Sequence, residues 1–156
     1  MKIIFLSVGK LKKGYAKDGV VEYLGRIKRY MPVEEVVVKD ESSGGAIPRV
    51  DVLKREGRRL LGKIKPGDIV VALDERGKGF TSEAFAAQIE RFTTSGKKRI
   101  CFIVGGAYGL SPELKAGADL LLRLSEMTTA HDMARLFLAE QLYRAFTILR
   151  GEPYSH

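Results

Sequence analysis

The sequence predicts a single α/β domain, residues 1–156, built on a mostly parallel sheet flanked by helices. Three observations point there. Four short runs of β-branched and other apolar residues alternate with segments of helical periodicity. Those runs are apolar on successive positions, as strands covered on both faces require. The chain has 156 residues, the span of one domain, and no internal repeat or linker divides it.

The first strand is Ile3 to Val8; its apolar stretch is too short for a secretion signal and lacks a small-residue cleavage site. A helix follows over Tyr15 to Arg29, with Val20, Val21, Leu24 and Ile27 on one stripe and Pro32 beyond its end. The second strand is Val33 to Lys39. Asp40 to Gly45 is polar and glycine-rich, and is expected to be the mobile segment. The second helix, Pro48 to Ile64, surrounds its apolar residues with Arg49, Lys54, Arg55, Arg58, Arg59 and Lys63, so one face is strongly cationic. Pro66-Gly67-Asp68 turns the chain into a third strand, Asp68 to Leu73. Thr81-Ser82-Glu83 reads as an N-cap with an acidic first turn for a helix to Phe92. The fourth strand, Arg99 to Val104, leads to Ser111-Pro112, an N-cap with proline at the first helical position. Leu120 to Leu124 fits either strand or helix. Ala130 to Leu149 is the longest helical pattern, and its apolar residues, Leu138 and Ile148 among them, cover more than one stripe. A domain of this size has little room for a central helix, so a twofold contact with a second copy is expected to cover the excess.

Lys and Arg number 27 against 19 Asp and Glu, a formal net charge of +8 spread along the chain. Such a surface attracts polyanions, nucleic acid or phosphate-bearing ligands first among them. The lone Cys101 lies in an apolar run and reads as a buried hydrophobe, excluding a disulfide within the chain. One Cys and two His make no zinc pattern, so no metal is expected. No stretch approaches a membrane span. A cytoplasmic protein is expected.

Three segments carry candidate chemistry: Val70 to Gly79, a strand ending in a polar glycine loop; Phe102 to Glu113, with Gly105, Gly106 and Gly109; and Leu122 to His131. Open α/β folds bind ligands beyond the carboxyl ends of their strands, where the first two begin. Gly105 and Gly106 would let backbone approach a ligand, and Gly109 would supply a positive φ. The spacing is not that of the dinucleotide fingerprint, which disfavours an oxidoreductase. A non-catalytic RNA-binding module with purely structural glycine loops is the other reading.

Taken together, Leu73-Asp74, Phe102 to Leu110, Leu124 to Thr128, Ala139 to Ala145 and Gly151 to Tyr154 resemble the large-subunit ribosomal RNA methyltransferase H family, over essentially the whole chain. That resemblance implies a C-terminal trefoil knot, S-adenosylmethionine as methyl donor, and a homodimer formed through the C-terminal helix. It also implies methylation at N3 of a pseudouridine in 23S ribosomal RNA of the assembled ribosome. By position it places the cofactor on Leu73, Gly105, Gly106, Gly109, Leu124, Ser125, Glu126, Met127, Thr128 and Thr129. Two positions depart from the family pattern. Thr129-Ala130 stand where an aromatic or aliphatic residue and a proline are usual, and Ser155-His156 stand where the tail usually reads histidine and then a basic residue.

Methylation at N3 requires that nitrogen to lose its proton, so a base or a cationic environment is needed. Tyr154, His156 and Glu140 are the candidate catalytic residues. Glu140 and Arg144, at i and i+4, also fit a helix-surface ion pair. Arg144, Arg150, Lys10, Lys12 and Lys13 are candidates for RNA phosphates, and His131 for capping the last helix.

Overall fold

The computed structural model describes residues 1–42 and 44–154. In chain order the elements are β1 (Lys2–Val8), α1 (Gly14–Ile27), β2 (Val33–Val38), α2 (Arg49–Leu61), β3 (Ile69–Lys78), α3 (Ser82–Thr93), β4 (Arg99–Val104), α4 (Pro112–Ala116), β5 (Leu120–Leu122) and α5 (His131–Arg150). The strands lie in the order β2-β1-β4-β3-β5, and each neighbouring pair is parallel.

Consecutive apolar residues do what the sequence predicts of them. Ile3 and Phe5 of β1, with Ile100 and Phe102 of β4, pack beneath α1, α3 and α5. Ile4, Leu6, Cys101 and Ile103, pointing oppositely, pack with Leu60 of α2 and Leu114 of α4. Cys101 is fully buried, and burial above all pushes its thiol pKa up to about 11. The Thr81 hydroxyl accepts from the Ala84 amide at 3.2 Å and that of Ser111 from Leu114 at 3.3 Å, so both expected caps form.

Two expectations need correction, and one open alternative is settled. β3 does not end at Leu73. Asp74–Gly77 bulge outward and Lys78 resumes pairing with Leu122, so the supposed glycine loop is a strand continued. A Cβ on Gly77 would lie 2.6 Å from the Leu121 carbonyl carbon and oxygen, so glycine there admits the backbone of β5. At the start of the segment after β2, Asp40 accepts from the amide and hydroxyl of Ser42, and Glu41 is paired with Arg55 and Arg59. Ser43 lies outside the described residues. Leu120–Leu122 is strand, settled by pairing that local periodicity does not reveal.

The second correction concerns α5. It runs between α1 and α3, and Leu138, Ala139 and Leu142 are fully buried in the chain's own core. Burying each leucine contributes roughly 1.5–3 kcal/mol. Leu138 therefore needs no second copy. What α5 leaves to solvent is Met133 and Phe137, each about 40% exposed, four residues apart on one face. Gly151, left-handed at φ 65°, ends the helix: its amide donates to Ile148 and that of Glu152 to Thr147.

Candidate functional site

The carboxyl ends of β3, β4 and β5 open into a cleft of about 670 Å³ including its mouth. Leu73 and Asp74-Glu75 come from β3, and Val104, Gly105, Gly106 and Gly109 from β4 and its loop. Leu122 to Ser125 and Met127 to Thr129 follow from β5, and His131 and Ala134 open α5. The residues expected to hold a cofactor all line this cleft except Glu126, whose side chain is exposed and pairs with Arg123 at 3.8 Å.

The glycines of the β4 loop answer first to the loop itself. Gly109 has φ 79°, and its amide donates to the Gly106 carbonyl at 3.1 Å. A Cβ on Gly105 would meet the Gly109 carbonyl oxygen at 2.4 Å; one on Gly106 would meet Glu56 Oε2 and Val8 Cγ1 at 3.1 Å. Space for ligand approach, the reading of the sequence, is thus secondary to closure of the turn at Gly105 and to packing at Gly106. Glu56 beneath it is buried, with Oε1 accepting from the Glu41 amide at 3.0 Å and Oε2 without a donor among the described residues. Burial, with the neighbouring Asp40 charge, raises its carboxyl pKa.

Leu73, Leu122 and Leu124 wall the cleft with apolar surface, while the chain after β5 leaves backbone amides and carbonyls open. At the Asp74 carboxyl, burial acts to raise the pKa but is outweighed by Lys115 at 2.9 Å and the Arg76 amide, which hold it below the usual range. With Glu75 this puts two carboxylates in the cleft, beside Arg123, His131 and the leucine walls, a lining suited to a ligand that joins an apolar group to charged ones.

α5 begins at the cleft and reaches sideways to the loop after β1. Asp132 Oδ2 accepts from the amides of Lys12 and Lys13 at 3.1 and 3.2 Å. Lys10, Lys12 and Lys13 themselves are exposed. His131 lines the cleft and approaches Asp132 Oδ1 at 3.3 Å; no side chain caps this helix, so the capping role is not seen. Asp132 and Arg135 were not legible as site residues, because charged positions in a helix read as solvated.

Glu140, Arg144 and Tyr154 meet one another, away from the cleft. Arg144 donates to Glu140 Oε1 at 2.6 and 3.0 Å and lies over the Tyr154 ring. The Tyr154 hydroxyl lies 3.2 Å from both Glu140 Oε1 and the Tyr23 hydroxyl, and its ring packs edge-on against Tyr143. Burial, then these partners, push its pKa well up. Tyr143 is twelve residues beyond His131, about 18 Å along the helix at 1.5 Å per residue. Within one chain, these groups are remote from the cleft. Arg150 is exposed, and His156 lies outside the described residues. Among the described residues no group of three His, Cys, Asp or Glu is placed to hold a metal, and no helix is long and apolar enough to cross a membrane.

Comparison with known proteins gives three results. A family model described as "Predicted SPOUT methyltransferase" matches residues 1–156. The chain is 49% identical over 156 residues to a protein of Syntrophotalea carbinolica named "Ribosomal RNA large subunit methyltransferase H", covering 100% of this chain and 99% of that one. It is 47% identical to a protein of the same name from Shouchella clausii, covering 99% of each. Among solved structures, a probable methylase family protein from Haemophilus influenzae superposes with a TM-score of 0.52 at 11% identity, covering 99% of this chain and 70% of that one, a likeness of fold.

Proposed function

Because the chain belongs to the SPOUT methyltransferase family, we propose that it methylates large-subunit ribosomal RNA using S-adenosylmethionine. The target in this reading is N3 of a pseudouridine in 23S ribosomal RNA within the assembled ribosome, in the cytoplasm. One observation carries it: three of the segments that bear the resemblance, those at the ends of β3, β4 and β5 and far apart in sequence, line a single cleft at the carboxyl edge of the sheet. The names of the full-length relatives and the net charge of +8 support an RNA substrate. The C-terminal knot belongs to the same proposal, supported by the family match.

The residues fit the donor. Leu73, Leu122 and Leu124 suit adenine, backbone groups of the loops suit its polar edge, and Asp74 and Glu75 suit its positive charge. Bound there, S-adenosylmethionine supplies a methyl group activated by its sulfonium. The chain's own part is to position the base and accommodate the departing N3 proton. Tyr154 stacks on or hydrogen-bonds the base, and Glu140, held by Arg144, orients it by accepting from its hydroxyl. His156 lines the base beside it in this reading. Since the tail cluster lies far from its own cleft, two copies complete each site between them, meeting through α5 at Met133 and Phe137. Lys10, Lys12, Lys13 and Arg150 contact RNA phosphates, with Arg144 supporting Glu140.

Calorimetric titration with S-adenosylmethionine tests the reading, beside Gly105→Arg and with transfer of labelled methyl to ribosomes lacking the modification. Binding in the wild type, its loss in the variant and labelling of 23S RNA are expected. No binding at millimolar donor overturns the enzyme and leaves an RNA-binding module.

A further inference from the structure

The loop after β4 carries an aromatic ring for which the cleft has no use. Tyr108 stands between Gly106 and Gly109, which line the cleft, yet its own side chain turns away from it and is 39% exposed. Arg49, the first residue of α2, sets its guanidinium 5.5 Å from the ring centroid. Helices that follow parallel strands return antiparallel to them, so this end of α2 lies at the same carboxyl edge as the cleft mouth. Arg49 enters none of the ion pairs formed among the described residues, and neither do Lys54 and Arg58 farther along α2. Lys39, Arg55 and Arg59 share the single carboxylate of Glu41. Arg49 meets Tyr108 on the inward side of the first turn of α2, while Lys54 and Arg58 lie exposed on its outward face, roughly 140° and 180° around the helix.

We propose that Tyr108 and Arg49 form a stacking platform for a nucleotide flanking the methylated one. Bases splayed out of single-stranded RNA stack on aromatic rings and on guanidinium planes, and any base has a face to offer. A target base entering the cleft leaves its neighbours on this rim. The platform rests on the RNA methyltransferase reading above and adds a determinant of substrate affinity to it.

The chain contains no tryptophan, so Tyr108→Trp introduces a single fluorescent indole at the platform. Saturable quenching by a ten-nucleotide oligouridylate at low salt is expected, with none from inorganic polyphosphate, which offers charge without bases. With unmodified ribosomes as substrate, Tyr108→Ala raises KM about tenfold, the usual scale for losing one stacked base. It leaves kcat and calorimetric affinity for S-adenosylmethionine within twofold, and Tyr108→Phe retains the wild-type KM. Equal quenching by polyphosphate, or a wild-type KM in Tyr108→Ala, refutes the platform while the methyltransferase reading stands. A wild-type chain that binds neither S-adenosylmethionine nor RNA removes both.

Discussion

Arg135 Nη1 donates to the carbonyl of Gly9 at 2.8 Å, and Nη2 donates to that of Val8. A fully buried cation in α5 thereby closes the carboxyl end of β1, without an ion pair to a carboxylate among the described residues. Burial lowers its pKa accordingly. Two neutral carbonyls compensate such a charge only because both lie within its fork. Arg135→Met is expected to lower stability by about 3 kcal/mol, the scale of stripping a partner from a buried charged hydrogen bond. Urea denaturation measures it. A loss under 0.5 kcal/mol would show that the fork contributes little, and faster amide exchange at Lys12 and Lys13 should accompany the larger loss.

Glu56 is a buried acid beneath the β4 loop, faced by Asp40 and, at longer range, by Arg59. Its folded pKa is raised above the ordinary 4.5, first by burial. The protonated form is therefore the stabilised one: the contribution is complete below the unfolded pKa and is lost as pH rises through the folded value. Glu56→Gln should match the wild type near pH 4 and become relatively more stable as pH rises toward 8. Thermal melting across that range decides it. Parallel pH curves for the two proteins would exclude this proton from the stability balance.

Gly77 faces backbone rather than a yielding side chain. Gly77→Ala forces β3 and β5 apart where Leu73 and Leu122 wall the cleft. A loss of roughly 1–3 kcal/mol is expected, as for overpacking in a closed core, together with weaker S-adenosylmethionine binding. Retention of both stability and affinity would mean that the strands separate there without consequence for the cleft.

The separation of Tyr154 from its own cleft makes complementation possible. Gly105→Arg removes the donor site from one chain, and Tyr154→Ala removes the tail group from another. Each is expected to be inactive alone. Unfolded and refolded together, the pair should recover about one quarter of wild-type activity if sites form between two chains in a random dimer. No recovery, with heterodimers demonstrated, would place catalysis within a single chain.

Much of this architecture is determined by local pattern. The runs Ile3–Leu6 and Ile100–Val104 are apolar at every position because both faces of their strands are covered, which alone predicts a parallel sheet between helix layers. Gly109 with Ser111-Pro112 likewise announces a turn and a cap that need only neighbouring residues to form. The motif segments after β3, β4 and β5 were legible as candidates because strand ends of such sheets converge on ligand sites. Tertiary structure decided the rest. The continuation of β3 through charged Asp74 to Lys78 depends on a partner strand more than forty residues away. The burial of Arg135 and Glu56 depends on which carbonyls and carboxyls the fold sets beside them, where the sequence offers only charged residues in helices. Length and connectivity also hide that α5 carries Tyr154 away from the cleft that His131 enters. A helix is stiff, so residues close in sequence are held apart by its rise, while residues distant in sequence meet where strands end.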